Sequence, residues 1–301
     1  MTFFLGIDGG GTQTTCVIGD DTAILGTGIA GGSNVVRVGE QAASEALTTA
    51  IRQACAAAKV DPSQIKRVCI GAAGAARPEI QQAIRRIVSS LISGEIEIVG
   101  DTVTSLEAAF GEGPGVIVIA GTGSIAYGRN ARGQTARAGG WGFAISDEGS
   151  GHWIGRTALS AALHDRDEGG NPKLFEDARK MFGASSDEEL IVKANAAPDF
   201  AALVPAILAA ADAGDVLSNR VLTLAGNELA NLVKALVSRL FAKGERVPVA
   251  MVGGVFRNSA LVRQVFYNSV RSSCPAAEVQ QAIVEPVQGA LARARRGASR
   301  G

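Results

Sequence analysis

The sequence predicts a two-lobed α/β protein in which both lobes follow the order βββαβαβα. Short apolar strands alternate with amphipathic helices along the chain. A strand, a glycine turn and a second strand occur at residues 3–18 and again at 116–128, an echo typical of a duplicated unit. The chain has 301 residues, 47% of them hydrophobic, which is more than one compact core usually holds. We therefore expect two related lobes that face each other across a cleft.

The first half supplies one complete copy of this order. An apolar run opens the chain, and β-branched residues follow the first glycine turn. Helical spacing of Ala43, Leu47, Ala50 and Ile51 predicts an amphipathic helix after the opening strands. The predicted strands are residues 3–7, 14–18, 23–29, 68–72 and 96–99, and the predicted helices are 41–58, 80–91 and one after residue 101.

The second half begins again after a glycine-rich segment at residues 111–115. Strands are predicted at 116–120, 125–127 and 247–252, and helices at 150–163, 199–213, 216–241 and from Pro286 onward. The predicted domains are residues 1–111 and 112–285, with the final helix, 286–301, packing back on the first lobe.

The charge balance and the cysteines exclude several classes of protein. Lys and Arg together number 29, as do Asp and Glu, so no net field attracts nucleic acid or a membrane surface. The start of the sequence has no signal-peptide pattern, and we expect a cytoplasmic protein. The four cysteines lie far apart without a C-x-x-C pair, which argues against structural zinc or disulfides. His152 and His164 are interpreted as structural, and the arginines of the C-terminal tail as solvated.

Two glycine turns have the chemistry of phosphate-binding loops. Glycine lacks a side chain that would block an anion, and its backbone freedom lets neighbouring N–H groups converge. Gly10, Gly11 and Thr12 form the first turn, and Gly121, Thr122, Gly123 and Ser124 form the second. Each turn taken alone is also compatible with an ordinary tight hairpin.

Four segments together resemble the N-acetylglucosamine kinase family. They are Asp8-Gly-Gly-Gly-Thr12, Gly121-Thr-Gly-Ser124, Gly139-Gly-Trp-Gly142 with Ser146-Asp-Glu-Gly-Ser150, and Val252-Gly-Gly-Val255. This family belongs to the BadF/BadG/BcrA/BcrD-type ATPases of the sugar kinase, actin and heat-shock ATPase superfamily. The resemblance implies an actin-like, ribonuclease H-like fold, ATP and Mg²⁺ as ligands, and a homodimer. It also implies phosphorylation of an amino sugar, with the 6-hydroxyl of N-acetylglucosamine as the first expectation.

The resemblance assigns a role to each motif residue. Asp101 takes the proton of the acceptor hydroxyl, although an N-cap role is the alternative, and Asp8 holds Mg²⁺ through water. The sugar is bound by Asn34, Gly140, Trp141 and Asp147, for which an Asx turn, core packing and helix capping are the alternatives. Gly253 and Gly254 leave space for the adenosine.

Two other functions remain open at this level. An ATPase that activates 2-hydroxyacyl-CoA dehydratases or benzoyl-CoA reductases uses similar phosphate loops, but it needs cysteines for an iron-sulfur cluster. Cys16, Cys55 and Cys69 instead follow core patterns. A non-catalytic sugar or nucleotide sensor is the second alternative, against which Asp8 and Asp101 argue. The acceptor itself stays open, because the segment Gly71-Ala-Ala-Gly-Ala75 lacks the serine of related mammalian enzymes.

Overall fold

The chain divides into two compact units, each with its own sheet. Unit 1 comprises Met1–Gly113 and Val284–Gly301, and unit 2 comprises Pro114–Ile283. The computed structural model describes residues 2–196 and 198–297.

Ten strands, eleven α-helices and two short 3₁₀-helices, Pro62–Gln64 and Phe200–Leu203, form these units within the described residues. The strands are β1 (Phe3–Gly9), β2 (Gln13–Gly19), β3 (Ile24–Gly31), β4 (Ile65–Ala72), β5 (Glu95–Gly100), β6 (Gly115–Ala120), β7 (Ser124–Arg129), β8 (Thr135–Gly139), β9 (Val247–Val252) and β10 (Ala277–Val284). The helices are α1 (Val35–Ala58), α2 (Pro78–Ser89), α3 (Asp101–Phe110), α4 (Gly151–Asp167), α5 (Lys173–Met181), α6 (Asp187–Asn195), α7 (Val204–Asp212), α8 (Val216–Leu240), α9 (Gly254–Asn258), α10 (Ala260–Ser273) and α11 (Pro286–Gly297). The predicted βββαβαβα order is present in both halves, and the second half carries additional helices.

The sheet of unit 1 has the order β3-β2-β1-β4-β5. β1, β2 and β3 form the antiparallel meander, whereas β4 and β5 join β1 in parallel. Helices α1 and α2 bury apolar residues such as Leu47, Ile51 and Ile84 against one face. Helix α1 starts at Val35, earlier than predicted, and is broken at Gly39, whose φ is 82°. The predicted start near residue 41 therefore falls in the part of this helix that follows the break.

Helix α11 covers the opposite face of the unit 1 sheet. Its buried residues Val287, Ala290, Leu291 and Ala294 pack with Phe4, Val17 and Cys69. The interpretation of the C-terminal arginines as solvated is wrong for three of them. Arg293 pairs with Glu97, Arg296 lies 2.6 Å from Glu107, and Arg295 donates to the carbonyl of Asp20 at 2.7 Å. Arg300 lies outside the described residues.

The sheet of unit 2 has the order β10-β9-β6-β7-β8, which mirrors the arrangement in unit 1. β6 and β7 are antiparallel, while β9 runs parallel to β6. The core contains Val118, Ile154, Leu229, Phe256 and other buried residues of the surrounding helices. Within the described part of the chain, no single helix is long and apolar enough to span a membrane, although the pair Phe200–Asp212 and Val216–Leu240, bent by 116°, would pass by length and composition.

Candidate active site

The carboxyl ends of three parallel strands form the candidate site in unit 1. Asp8, near the end of β1, is in register with Gly71 of β4, and Ala72 of β4 is in register with Gly100 of β5. In open α/β sheets, ligands bind at this edge. Asp8 and Asp101 are separated there by β4, that is by two strand spacings or about 10 Å.

Asp101 begins helix α3 but does not cap it. The N-cap is Gly100, and Oδ1 of Asp101 accepts a hydrogen bond from the backbone N–H of Thr102 at 2.9 Å. The hydroxyls of Thr104 and Ser105 donate to the Asp101 carbonyl and fix the first turn of the helix. The alternative role of Asp101 as an N-cap is therefore wrong.

The surroundings of the Asp101 carboxylate raise its pKa. Burial raises its pKa above the usual value, although hydrogen bonds from the backbone of Thr102 and of Asp101 itself oppose this shift. The positive end of the α3 dipole lies beside it and favours the ionised form. A carboxylate with these properties at the carboxyl edge of a sheet is a candidate general base.

The turn Gly10–Thr12 is tied to the segment that carries Asn34. The N–H of Gly10 donates to the carbonyl of Gln13, and its carbonyl accepts from the N–H groups of Ser33 and Asn34 at 3.0 and 3.2 Å. Gly10 thus shapes the hairpin and uses its own N–H internally. Asn34 is the N-cap of α1, with Oδ1 accepting from the N–H of Val36 at 3.1 Å. The structure therefore brings the candidate phosphate turn and Asn34 together.

The second glycine turn, in unit 2, lies against the start of helix α4. The N–H groups of Gly151 and His152 donate to the carbonyls of Gly121 and Thr122. The N–H of Gly121 is bonded to the carbonyl of Gly123, which repeats the internal use seen at Gly10. Ser150 caps α4 by accepting from the N–H of Trp153, so the capping alternative for Asp147 is wrong.

Asp147 organises the second site from a buried position. The residue is 7% exposed and its φ is 65°. Oδ1 accepts from the N–H of Gly142 at 3.2 Å, and the backbone of Ser124 supplies another hydrogen bond. Burial raises the pKa of Asp147, and the charge of Glu148 adds to this shift. Asp147 thereby connects the glycine turn with the segment that carries Trp141.

Gly123 leaves the space that the carboxylate of Asp147 occupies. A Cβ at Gly123 would lie 2.6 Å from Oδ2 of Asp147. The space above Gly121 is open, with nothing within 4 Å of the corresponding Cβ position. The two glycines of this turn therefore differ in their surroundings: Gly123 lies beside the carboxylate of Asp147, and Gly121 faces open space.

Trp141 is exposed beside a cation. The ring is 66% exposed, which excludes the alternative of a core tryptophan. The guanidinium carbon of Arg137 lies 3.9 Å from the ring centroid. Phe143 and Ile145 of the same segment are 51% and 81% exposed. This short segment therefore exposes three large apolar side chains, which is uncommon outside binding surfaces.

Gly253 and Gly254 lie where β9 meets helix α9. Gly253 is the N-cap, with φ 103°, and a Cβ there would lie 2.5 Å from the carbonyl oxygen of Ala120. The position above Gly254 is open, its nearest atom being Nδ2 of Asn258 at 3.8 Å. Gly254 is therefore the better candidate for leaving space beside a nucleotide.

The sequence prediction did not include Arg137 or the pair Thr14 and Ser33. Thr14 and Ser33 are buried and hydrogen-bonded through their hydroxyls at 2.8 Å, below Asn34. The sequence does carry a signal for Thr14, because it is a polar residue inside an apolar strand pattern. Arg137 lies four residues before Trp141 in a strand, Thr-Ala-Arg-Ala-Gly, whose composition carries little β signal.

The three cysteines interpreted as core residues, Cys16, Cys55 and Cys69, are buried, and one of the two histidines, His152, packs against aromatic rings. His152 lies between the rings of Phe143 and Phe200. Among the residues that the structure describes, no three His, Cys, Asp or Glu side chains form a metal-binding group. A magnesium ion fits this donor set, because Mg²⁺ in nucleotide sites often uses one or two carboxylates with phosphate oxygens and water. Asp8 is the candidate carboxylate.

Two similar sheets with glycine turns at their strand ends define the fold class of the sugar kinases and actin-like ATPases. The glucokinase of the ROK family from Streptomyces griseus, solved with glucose and AMPPNP, has this fold, with a TM-score of 0.65, 16% identity, and coverage of 98% of this chain and all of that one. The present chain belongs to the BadF/BadG/BcrA/BcrD ATPase family, whose profile matches residues 5–294.

Two relatives that are similar in sequence to this chain are named as sugar kinases. The N-acetylmuramic acid/N-acetylglucosamine kinase of Clostridium acetobutylicum is 35% identical over 265 residues, covering 86% of this chain and 87% of that protein. The N-acetyl-D-glucosamine kinase of Dictyostelium discoideum is 29% identical over 95% of this chain and 96% of its own. A Chromobacterium violaceum structure, provisionally assigned as an N-acetylglucosamine kinase, has a TM-score of 0.78 and 26% identity, covering 97% of this chain and 98% of its own.

Proposed function

We propose that this chain is an ATP-dependent kinase that phosphorylates the 6-hydroxyl of N-acetylglucosamine or a close amino sugar. The observation that carries the proposal is Asp101, a carboxylate with a raised pKa at the same sheet edge as Asp8. The relatives named as N-acetylglucosamine kinases support the acceptor.

Asp101 orients the acceptor hydroxyl and accepts its proton as the oxygen attacks the γ-phosphorus of ATP. The bond between that phosphorus and the β,γ-bridging oxygen breaks, and ADP leaves. Phosphoryl transfer depends mainly on such positioning and on stabilisation of charge on the phosphoryl oxygens. In the proposed assignment, the turns Gly10–Thr12 and Gly121–Ser124 bind the phosphates, and Gly253 and Gly254 adjoin the adenosine. Mg²⁺ near Asp8 would neutralise phosphate charge.

The sugar is bound in this proposal by Asn34, Gly140, Trp141 and Asp147. Asn34 is held at the head of α1, and Trp141 presents an exposed ring. Asp147 receives backbone hydrogen bonds, so its contribution to the sugar uses the remaining lone pairs of its carboxylate.

N-acetylmuramic acid is a second acceptor to test. The Clostridium acetobutylicum relative is named for both sugars. In this chain Ala72, which is in register with Gly100 at the sheet edge that carries Asp101, is buried and offers no polar side chain, and Ala75, three residues later, is buried as well.

The activator ATPase is disfavoured. The component A structure from Acidaminococcus fermentans shares the fold at 12% identity and a TM-score of 0.53, which says nothing about chemistry. A shared iron-sulfur cluster needs several accessible cysteines, and three of the four, Cys16, Cys55 and Cys69, lie in the core, which leaves Cys274 alone.

The deciding experiment measures ADP release from ATP and Mg²⁺ across N-acetylglucosamine, N-acetylmuramic acid, glucosamine and neutral hexoses, with a control that lacks sugar. Strong stimulation by an amino sugar is expected. Steady hydrolysis that ignores every sugar would instead indicate the activator ATPase, and saturable sugar binding without ADP release would indicate a sensor.

We further propose a cytoplasmic homodimer that binds neither nucleic acid nor membranes. A cytoplasmic location gives the enzyme access to ATP, and the balanced charge offers no attraction to a polyanion. Light scattering of the purified protein measures the oligomeric state.

A further inference from the structure

Arg137 contacts three consecutive parts of the segment that leads to Trp141. It lies on β8, and its Nη1 donates to the carbonyl of Gly139 at 2.8 Å and to that of Gly140 at 3.0 Å. The same guanidinium stacks on the Trp141 ring at 3.9 Å from the centroid. One exposed side chain therefore holds both the backbone and the ring of this segment.

The backbone of this segment has a shape that Arg137 stabilises. Gly139 and Gly140 have φ values of 70° and 68°, in the left-handed region, and both carbonyls are directed toward the same nitrogen. Below the turn, a Cβ on Gly140 would lie 2.6 Å from Cδ1 of Ile125. The turn is thus confined by Ile125 on one side and by Arg137 on another.

Arg137 is itself anchored to the body of unit 2. Its carbonyl accepts a hydrogen bond at 2.6 Å from Nη2 of Arg239, on helix α8. β8 is paired with β7 through Tyr127 opposite Arg137. The guanidinium therefore starts from a fixed point of the backbone, which is what a side chain needs to position another group.

We propose that Arg137 is a positioning residue that holds Gly140 and Trp141 ready for the 2-substituent of the sugar. An exposed tryptophan loses side-chain freedom when it binds a ligand, and a ring that is already stacked loses less. This inference rests on the proposed sugar kinase function. It predicts an effect on sugar binding and none on ATP binding, since Arg137 contacts no group assigned to the phosphates.

Arginine is suited to this task and lysine is not. A planar guanidinium stacks flat on an indole while its N–H groups donate in the plane, whereas an ammonium is a point charge without a plane. R137K should therefore recover little of what R137M loses.

The test compares R137M and R137K with R132M, which alters an exposed arginine at the other end of the same hairpin. In R137M the KM for N-acetylglucosamine should rise about tenfold, the size expected for loss of a stacked and hydrogen-bonded cation. The KM for ATP and kcat of R137M should stay within about threefold of the wild-type values. The rise in KM should be smaller for glucose, which lacks the N-acetyl group. An unchanged KM for N-acetylglucosamine, or equal increases for both substrates, would overturn the proposal, as would full recovery in R137K.

Trp141 fluorescence gives a readout that does not need turnover. The chain has two tryptophans, so the emission of Trp141 is isolated in a W153F background, or as the difference from W141F if W153F is unstable. R137M should shift this emission and R132M should not. If the wild type phosphorylates no sugar, the proposed function fails, while the spectrum still decides whether Arg137 holds the indole. If the kinase works and neither spectrum nor KM changes in R137M, the positioning role fails alone.

Discussion

Asp101 combines a raised pKa with a helix start that keeps its backbone fixed. The hydroxyls of Thr104 and Ser105 bind its carbonyl, so its side chain is the part available for chemistry. We expect Asp101→Asn to lower kcat/KM for the amino sugar by about 10²- to 10⁴-fold, because loss of a general base typically costs that much. Sugar-dependent ADP release measures the change.

The same variant should fold normally, which makes its kinetic defect interpretable. Asn keeps an oxygen for the N–H of Thr102. Because the folded-state pKa of Asp101 is raised, its contribution to stability is greatest below the unfolded pKa and is lost as pH rises through the folded pKa. At neutral pH the neutral Asn should therefore leave Tm equal to or above that of the wild type. Turnover within a few-fold of wild type would contradict the assigned base.

The pH dependence of activity follows from the same group. The base acts in its ionised form, and burial raises its pKa. As the pH is lowered, activity should therefore begin to fall at a higher pH than it would with an exposed aspartate, whose pKa is about 3.9. A profile of kcat/KM against pH reports this group in the free enzyme. Circular dichroism at each pH separates loss of ionisation from loss of fold. A profile that stays flat down to the pKa of an exposed aspartate would contradict the prediction.

The second glycine turn offers a matched pair of alanine substitutions. Gly123→Ala places a Cβ 2.6 Å from Oδ2 of Asp147 and should displace that buried carboxylate from its backbone donors. A cost of about 1–3 kcal/mol in the free energy of unfolding is expected. Gly121→Ala enters open space, so Tm should stay near the wild-type value while the KM for ATP rises. Thermal unfolding and ATP titration distinguish the two, and equal Tm losses would argue against the carboxylate contact.

Much of this site was accessible from sequence because glycine and aspartate stand at strand ends. Position in the chain predicted that Asp8 lies at the end of the first strand and that Asp101 lies between β5 and α3. Sequence does not show which N–H groups a turn consumes internally, and Gly10 and Gly121 both bond their own hairpins. Nor does it show that Asp147 is buried under backbone donors, since that depends on the approach of Ser124 and Gly142.

At the scale of elements, buried strands were predicted more completely than exposed ones. β1, β4, β6 and β9 are continuous apolar runs because both faces of the sheet are covered. β8 and β10 are edge strands with polar residues, which give no such pattern. Helix α10 carries Val262, Phe266 and Val270 at four-residue spacing, a signal that the motif-centred prediction does not use.

Helix α11 contributes a core face rather than a solvated tail. Leu291 is 1% exposed and packs with Phe4 and Val17. Leu291→Ala should lower the free energy of unfolding by about 2–5 kcal/mol through lost burial and the cavity left behind. Gln288→Ala, at an exposed position of the same helix, should stay within about 0.5 kcal/mol. Chemical denaturation measures both, and similar small effects would mean that α11 is loosely attached.

At the scale of the molecule, the two units differ in continuity. Unit 2 is one stretch, Pro114–Ile283, with its own core, whereas unit 1 needs both Met1–Gly113 and the segment from Val284. A fragment of residues 114–283 should therefore unfold cooperatively when heated. A fragment of residues 2–113 should not, because Phe4, Val17 and Cys69 lose the cover of α11.

The fragment experiment has an internal control. Joining residues 284–297 to the 2–113 fragment through a flexible linker should restore a cooperative transition, which circular dichroism detects. If 2–113 alone melts cooperatively at the same temperature as the joined fragment, α11 is dispensable for unit 1.

The discontinuity of unit 1 also sets the order of events during translation. The ribosome makes residues 114–283 after the first five strands and before α11. At about 5–20 residues per second, the interval is on the order of ten seconds or more. During that time this helix does not cover the apolar face formed by Phe4, Val17 and Cys69. We expect a chaperone to bind this exposed face. A message truncated before codon 286 would thus yield a chain whose second unit folds and whose first does not, a product suited to removal by cellular proteases.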